Sequence, residues 1–351
     1  MKICVVGGTG NISSSIVNEL LKQNHEVVCF NRGKSNFLPK GVRLIKGDRS
    51  DTENFVKNIQ LENFDAAIDM ICFNAHQAKS SIKAFSNVKH FIMCSSVVTY
   101  GNKFKTFPID ENHPIRPYDD YGHNKAEADF IYMEEYKKNG FPITIIKPST
   151  VYGPKFGLFR QVGSTDFSWI DRVRKGKPLI VCDDGNAKHQ FLHSGDAALA
   201  FVGILGKKNC IGKNYILTTN EFVTWKEYHK IAMTVIGREV EIVGIPFSDL
   251  EVLNIPSFDL CRSIFSHHSH FSSKKIMDDV PEFRPKISLE SGMRQVIDIM
   301  DKTNKIPNFE HVNYWEDQII KSKKNGQPLK KVNKSFPFRI KKIFSKLKKN
   351  K

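Results

Sequence analysis

Tyr121 and Lys125 stand four residues apart at the polar start of a helical pattern. On an α-helix, residues i and i+4 share a face, so an ammonium would lie beside a phenol. Nearby positive charge favours the phenolate, and such a tyrosine can exchange a proton with an alcohol near neutral pH. A solvated helix surface offers the same pair by chance, so the chemistry depends on what the rest of the chain places around it. Ser96 is one such group. It follows the apolar run His90 to Cys94 in Cys94-Ser95-Ser96-Val97-Val98-Thr99-Tyr100-Gly101, and hydroxyls at a strand's carboxyl end lie on the ligand edge of a parallel α/β sheet.

A hydride carrier would need its own site, and the chain opens with one. Ile3 to Val6 is a short buried-strand run, followed by Gly7-Gly8-Thr9-Gly10-Asn11-Ile12-Ser13 and an amphipathic pattern to about Gln23. Strand, glycine turn and helix are the context in which a dinucleotide is held. Gly7 permits the tight turn, and Gly10 lets the backbone approach a pyrophosphate at the helix N-terminus. Ser13 takes the place of a third glycine and is small enough for helix and strand to pack. The next strand, Glu26 to Asn31, ends in Asn31-Arg32-Gly33. An acid there would accept from both ribose hydroxyls of NAD, whereas an amide and a guanidinium suit the 2′-phosphate of NADP. Arg32 as a solvated loop residue is the competing reading. Asp48 closes the third strand, where it could accept from an adenine amino group or serve as a plain loop acid.

Further strands are expected at Val42 to Lys46, Ala66 to Ile71, His90 to Cys94 and Ile143 to Lys147, with helices near Asp51 to Gln60, Ala75 to Phe85 and Asp119 to Lys138. This alternation predicts an α/β fold with a Rossmann-like, doubly wound parallel sheet.

The 351 residues can bury a large core in one big or two joined domains. Seven cysteines without a C-x-x-C pair read as reduced, buried thiols. The chain starts directly in a strand and has no apolar run near ~20 residues, so a soluble cytoplasmic protein is expected. The net charge is +16, but residues 321–351 carry thirteen Lys or Arg and no acid, which leaves +3 for residues 1–320. The basicity belongs to a tail. In that tail Ile340, Ile343, Phe344 and Leu347 recur at helical spacing among lysines, the pattern of a helix lying on an anionic membrane surface through residues 337–351. A solubilising basic tail and a nucleic-acid arm are the other readings, nucleic acid being the weakest because it needs no apolar face.

In motif order and spacing over residues 1–300, the chain resembles the extended short-chain dehydrogenase/reductase family of NAD(P)-dependent sugar-nucleotide epimerases and dehydratases. The resemblance rests on the glycine turn, the serine-rich strand end closing in Tyr100-Gly101, Tyr121-x-x-x-Lys125 and Val151-Tyr152-Gly153-Pro154. It continues through Phe191 to Asp196, Ser273-Lys274 and Ser288 to Gly292. It implies that Tyr121 is the general acid/base, that Lys125 holds the nicotinamide ribose, and that Ser96 hydrogen-bonds the reacting oxygen. Gly7, Gly10, Asn11 and Ile12 then fall in the cofactor turn, with Asn31, Arg32 and Asp48 at the adenosine end of NAD or NADP. It also implies a Rossmann domain over 1–152 returning at 187–210, and a smaller C-terminal α/β substrate lobe over 153–186 and 211–320. A homodimer would pack through the Tyr121 helix and the one near Ala75 to Phe85.

Departures from the family pattern narrow the chemistry. Dehydratases of this family carry Asp-Glu after the serine or threonine, and here Val97 and Val98 cannot move a proton. Thr150 replaces an amide near the nucleotide-sugar phosphates. His189 stands where epimerases carry an arginine that clamps the diphosphate, with Lys188 as the remaining cation. These positions are the expected substrate contacts. The reaction expected is epimerisation of a nucleotide sugar through a keto intermediate; the alternatives are an NADPH-dependent ketoreductase and a non-catalytic NAD(P)-binding or RNA-associated relative. Arg172, Arg174 and Lys175 in the lobe read either as a phosphate contact or as a solvated basic face. His267-His268-Ser269-His270 reads as a polar loop rather than a metal site.

Overall fold

The computed structural model describes residues 1–34 and 38–332. The proposed membrane-binding segment 337–351 therefore lies outside the described residues. Five strands come first, with a described helix in every connection but that from β2 to β3: β1 (Lys2–Val6), β2 (Glu26–Asn31), β3 (Arg43–Lys46), β4 (Ala66–Asp69) and β5 (His90–Cys94). Helix α1 (Asn11–Lys22) follows β1, α2 (Thr52–Gln60) follows β3, and α3 (Ala75–Ala84) follows β4. Beyond β5 come α4 (Asp120–Asn139) and β6 (Ile143–Pro148). With Lys213–Leu217 at one edge, they form a seven-stranded sheet in the order Lys213–Leu217, β6, β5, β4, β1, β2, β3. Every pairing in it is parallel.

Burial on both faces explains why the strands read as continuous apolar runs. In β1, Ile3 and Val5 join a core with Ile16, Val17 and Leu20 of α1. Cys4 and Val6 face the opposite core, with Phe55 of α2, Ala78 of α3 and Ala128 and Tyr132 of α4. The order reverses between β4 and β1, and ligands of such sheets bind beyond the strand carboxyl ends at that point. The glycine turn, the β5 end and the start of α4 all lie at carboxyl ends of the sheet. All seven cysteines are buried and free.

The chain divides into two compact units. The first comprises Met1–Leu158, Ala187–Thr224 and His267–Ile299, and the second Phe159–Asn186, Trp225–Ser266 and the chain from Met300 on. The sheet unit is thus larger than the sequence reading drew it. Residues 211–224 and 267–299, expected in the lobe, belong to it for a physical reason. Lys213–Leu217 pairs with β6 in parallel. Asp196 in turn accepts from the backbone N–H of Lys286 (3.1 Å) and Ile287 (2.9 Å), tying the later segment back.

The second unit pairs Leu179–Cys182 with Ile242–Ile245 and buries Glu316 completely. That carboxylate accepts from Arg160 at 2.7 Å and from Ile180 N at 2.6 Å. Arg172 is fully buried there, bonded to Asp317 at 2.6 Å and to Pro178 O at 2.7 Å. Arg174 pairs with Asp301, and Lys175 with Asp171. All three charges are engaged by carboxylates, so the expected phosphate contact is withdrawn; Arg172 is internal, while Arg174 and Lys175 keep the solvated surface position that was the other reading.

Candidate active site

The glycine turn is built for close approach. Gly7 has φ +85°, and a Cβ on Gly8 would meet Cys29 Sγ at 2.4 Å, so neither position tolerates a side chain. Ser13 does more than replace a glycine. Its hydroxyl accepts from Gly10 N (2.8 Å) and donates to Gly7 O (2.7 Å), locking the turn. Asn11 donates to Val151 O at 3.0 Å while its buried Oδ1 has no hydrogen-bond partner among the described residues. No acid sits in the first turn of α1, so its N-terminal N–H groups and dipole are free to meet an anion. The residues fit a dinucleotide pyrophosphate.

At the other end of the dinucleotide turn's ligand, Asn31 is half-buried, its Nδ2 without a partner among the described residues, and Arg32 is exposed. Asp48 accepts from Ser50 N (2.9 Å) and Ser50 Oγ (2.6 Å). Those bonds, with help from the Arg32 charge, hold its carboxyl below the usual range. One carboxylate oxygen of the expected adenine contact is thus occupied within its own turn.

Ser96 caps the short 3₁₀ turn Val97–Tyr100, its hydroxyl accepting from Val98 N. Val97 is buried in that turn. Asp119 caps α4 by accepting from Gly122 N at 2.8 Å, which starts the helix so that its first turn carries Tyr121. Lys125 is 2 % exposed. Its ammonium donates to Cys72 O (2.7 Å) and Cys94 O (2.8 Å) and lies 5.9 Å from the Tyr121 ring centroid.

The electrostatics differ from the expectation of a stabilised phenolate. Tyr121 keeps 44 % of its surface exposed. Even so, the protein packed about it pushes its pKa up, outweighing the Lys125 charge and the Ser96 hydrogen bond, which pull it down. The lysine is held by two backbone carbonyls, and the tyrosine rests as a neutral phenol.

A buried network behind these residues was not anticipated. Lys147 of β6 is 1 % exposed and bonds to Asp129 of α4 and to Thr99 Oγ1, the latter at 2.8 Å. Ser95 Oγ donates to Asp129 Oδ2 (3.0 Å), and Thr99 Oγ1 donates to Ser96 O (3.0 Å). The network joins the β5 end to the helix carrying Tyr121 and Lys125. Its sequence signals were a lysine within an apolar strand and an acid four residues after Lys125.

The expected substrate contacts are arranged otherwise. His189 is buried, with Nε2 2.8 Å from Thr150 Oγ1 and Nδ1 2.8 Å from Ser269 Oγ. Burial drives its pKa down to about 3, so it is a neutral strut and supplies no charge for a diphosphate. Thr150 is its partner. Lys188 N donates to His268 Nδ1 (3.2 Å), and its ammonium lies 5.0 Å from the Phe222 ring centroid. The loop 267–270 braces this strand as well as being polar.

The model of the NAD dependent epimerase/dehydratase family matches residues 3–217. The 2′-dehydrokanamycin reductase of Streptomyces kanamyceticus is 27 % identical over 247 residues, covering 70 % of each chain. A chloroplast stem-loop binding protein of 41 kDa from Arabidopsis thaliana is 24 % identical over 310 residues, covering 83 % of this chain and 77 % of its own. Among solved structures, UDP-glucuronic acid 4-epimerase from Bacillus cereus, in complex with UDP-glucuronic acid and NAD, superposes with a TM-score of 0.68 at 20 % identity. That match covers 86 % of this chain and all of the epimerase.

Proposed function

Because this chain belongs to the NAD-dependent epimerase/dehydratase family, we propose that it interconverts a secondary alcohol and a ketone on a sugar, working as an epimerase of a nucleotide sugar. The observation that carries this reading is the gathering of Ser96, Tyr121 and Lys125 at the carboxyl end of β5, with a fitted dinucleotide turn on the same sheet edge. Bound NAD(P) supplies the hydride acceptor and donor. The turn from Gly7 to Ile12 would hold its pyrophosphate, and Asn31, Arg32 and Asp48 its adenosine end. Lys125 has two of its three N–H groups on backbone carbonyls, leaving one for a ribose hydroxyl.

Tyr121 exchanges the proton of the reacting oxygen, and Ser96 donates a hydrogen bond to that oxygen, stabilising charge that develops there. Val97 and Val98 offer no proton, so elimination of water is not supported. In epimerisation the ketone turns over, hydride returns to the other face of its carbon, and Tyr121 gives the proton back to the oxygen.

Net ketoreduction with NADPH is the second reading, favoured by three observations. Arg32 stands at the ribose end, the phenol rests protonated and ready to donate, and His189 is neutral where a diphosphate would need a cation. The RNA-associated alternative has no use for Tyr121. We further place a homodimer contact on α3 and α4, where Phe130 is 63 % exposed beside a cavity of about 550 Å³ lined by Ala75, His123 and Ala126.

The test is a panel of UDP-sugars with catalytic NAD+ and of ketosugars with excess NADPH. Tyr121→Phe should lower kcat ~100–10,000-fold while leaving cofactor affinity unchanged. Full activity in that variant would remove the proposal. Stoichiometric NADPH consumption would select reduction over epimerisation.

A further inference from the structure

Of the arginines in the described residues, Arg32 and Arg116 alone lack a hydrogen bond or ion pair from the guanidinium to another described residue. The others meet carboxylates or carbonyls, as Arg43 meets Glu62, Arg238 meets Arg174 O and Arg284 meets Met277 O. Arg32 lies at the cofactor's ribose end. Arg116 lies in the connection from Ser96 to Tyr121, where its backbone N donates to Thr99 O at 3.0 Å.

Arg116 borders a cavity of about 870 Å³ together with Lys103 and Lys105. Neither lysine has an acidic partner among the described residues. Asp110 is the one acid lining the cavity, and it already accepts from Asn112 N at 3.0 Å. Glu111 beside it turns its carboxylate to Ile216 N, 2.8 Å away. Three cations thus face one carboxylate, in a chain whose first 320 residues carry only +3. The wall is aromatic. Phe104 packs edge-on to His113 (5.4 Å), Phe271 (5.8 Å) and Phe107 (6.1 Å), and Phe107 is 46 % exposed.

An unpaired guanidinium can fork a phosphate with two hydrogen bonds, and an exposed ring offers a face to a flat ligand. We infer that this cavity binds the phosphate-bearing portion of the substrate, with Arg116 on the phosphate and Phe107 against an adjoining ring. It would supply the anion contact that neutral His189 does not. This inference rests on the proposed sugar substrate. Two sources share the chemistry: the nucleoside diphosphate of a nucleotide sugar, and a phosphorylated sugar.

Titration calorimetry on the full chain separates them, with UDP, uridine and glucose 1-phosphate as probes. UDP should bind, and Arg116→Ala should weaken it ~10–100-fold, the range for a lost charge-assisted pair. Arg116→Lys should recover only part of the loss, because an ammonium cannot fork. Uridine binding should not respond to either change. Glucose 1-phosphate binding as tightly as UDP, with the same Arg116 dependence, supports the cavity and assigns it a sugar phosphate. UDP and glucose 1-phosphate affinities unchanged in Arg116→Ala, or no binding of either to the wild type, overturn the inference. NADP+ affinity, expected unchanged in Arg116→Ala, reports the fold of the variant. Failure of the wild type to bind NAD+ or NADP+ would instead strike the proposed function.

Discussion

Removing the Asp129 carboxylate tests how the site is held. Lys147 is 1 % exposed, and its ammonium has Asp129 and Thr99 Oγ1 as partners. In Asp129→Ala the charge would stay buried with only the Thr99 hydroxyl and the Tyr100 ring face, 5.0 Å away, and Ser95 Oγ would lose its acceptor. Breaking a buried pair from one side costs ~3–5 kcal/mol. Because the Asp129 side chain is 12 % exposed, water reaches part of the gap, which puts the expected loss near the lower end, about 3 kcal/mol. That is a large share of a total of ~5–15 kcal/mol. The double variant Asp129→Leu with Lys147→Met removes both charges and should be much milder, since an apolar pair of similar volume often replaces a buried ion pair without loss. Urea unfolding of the wild type, Asp129→Leu, Lys147→Met and the double variant gives the coupling directly. Additivity of the single effects within ~0.5 kcal/mol would refute the reasoning. Thr99 links Lys147 to the Ser96 carbonyl, so the stable double variant should still show a lower kcat with unchanged cofactor affinity.

Acid should destabilise the protein before its carboxylates titrate. Burial holds His189 at about 3, His90 at about 4 and His229 at about 3. Between those values and the ordinary 6.5 the unfolded chain binds protons that the folded chain does not. Stability therefore rises with pH through that window, is fully present above it, and is lost as pH falls. The slope should reach ~1.4 kcal/mol per pH unit for each histidine. Urea midpoints at pH 7 and pH 5 check this, and His189→Gln should flatten the difference; equal slopes in both proteins would exclude His189 as a contributor. For the dimer, Phe130→Asp should sediment at the monomer mass, and an unchanged mass would move the contact elsewhere.

Sequence alone carried the features that depend on neighbours along the chain. Gly7 to Ser13 announced a phosphate turn because it sits between an apolar run and a helical period, and Tyr121 with Lys125 announced a shared face because helical spacing fixes it. The parallel sheet followed from regular alternation of strand and helix. Only tertiary structure could decide matters set by distant partners. Lys125 turned out to be anchored on Cys72 O and Cys94 O, 53 and 31 residues away. Tyr121 was pushed toward the neutral phenol because surrounding protein outweighed one nearby charge. His189 became a neutral strut through Ser269, eighty residues on. The seventh strand, Lys213–Leu217, had no signal of its own apart from pairing with β6. Periodicity records which face a residue occupies, while the charge state of a buried group depends on its solvation and on partners that packing alone brings close.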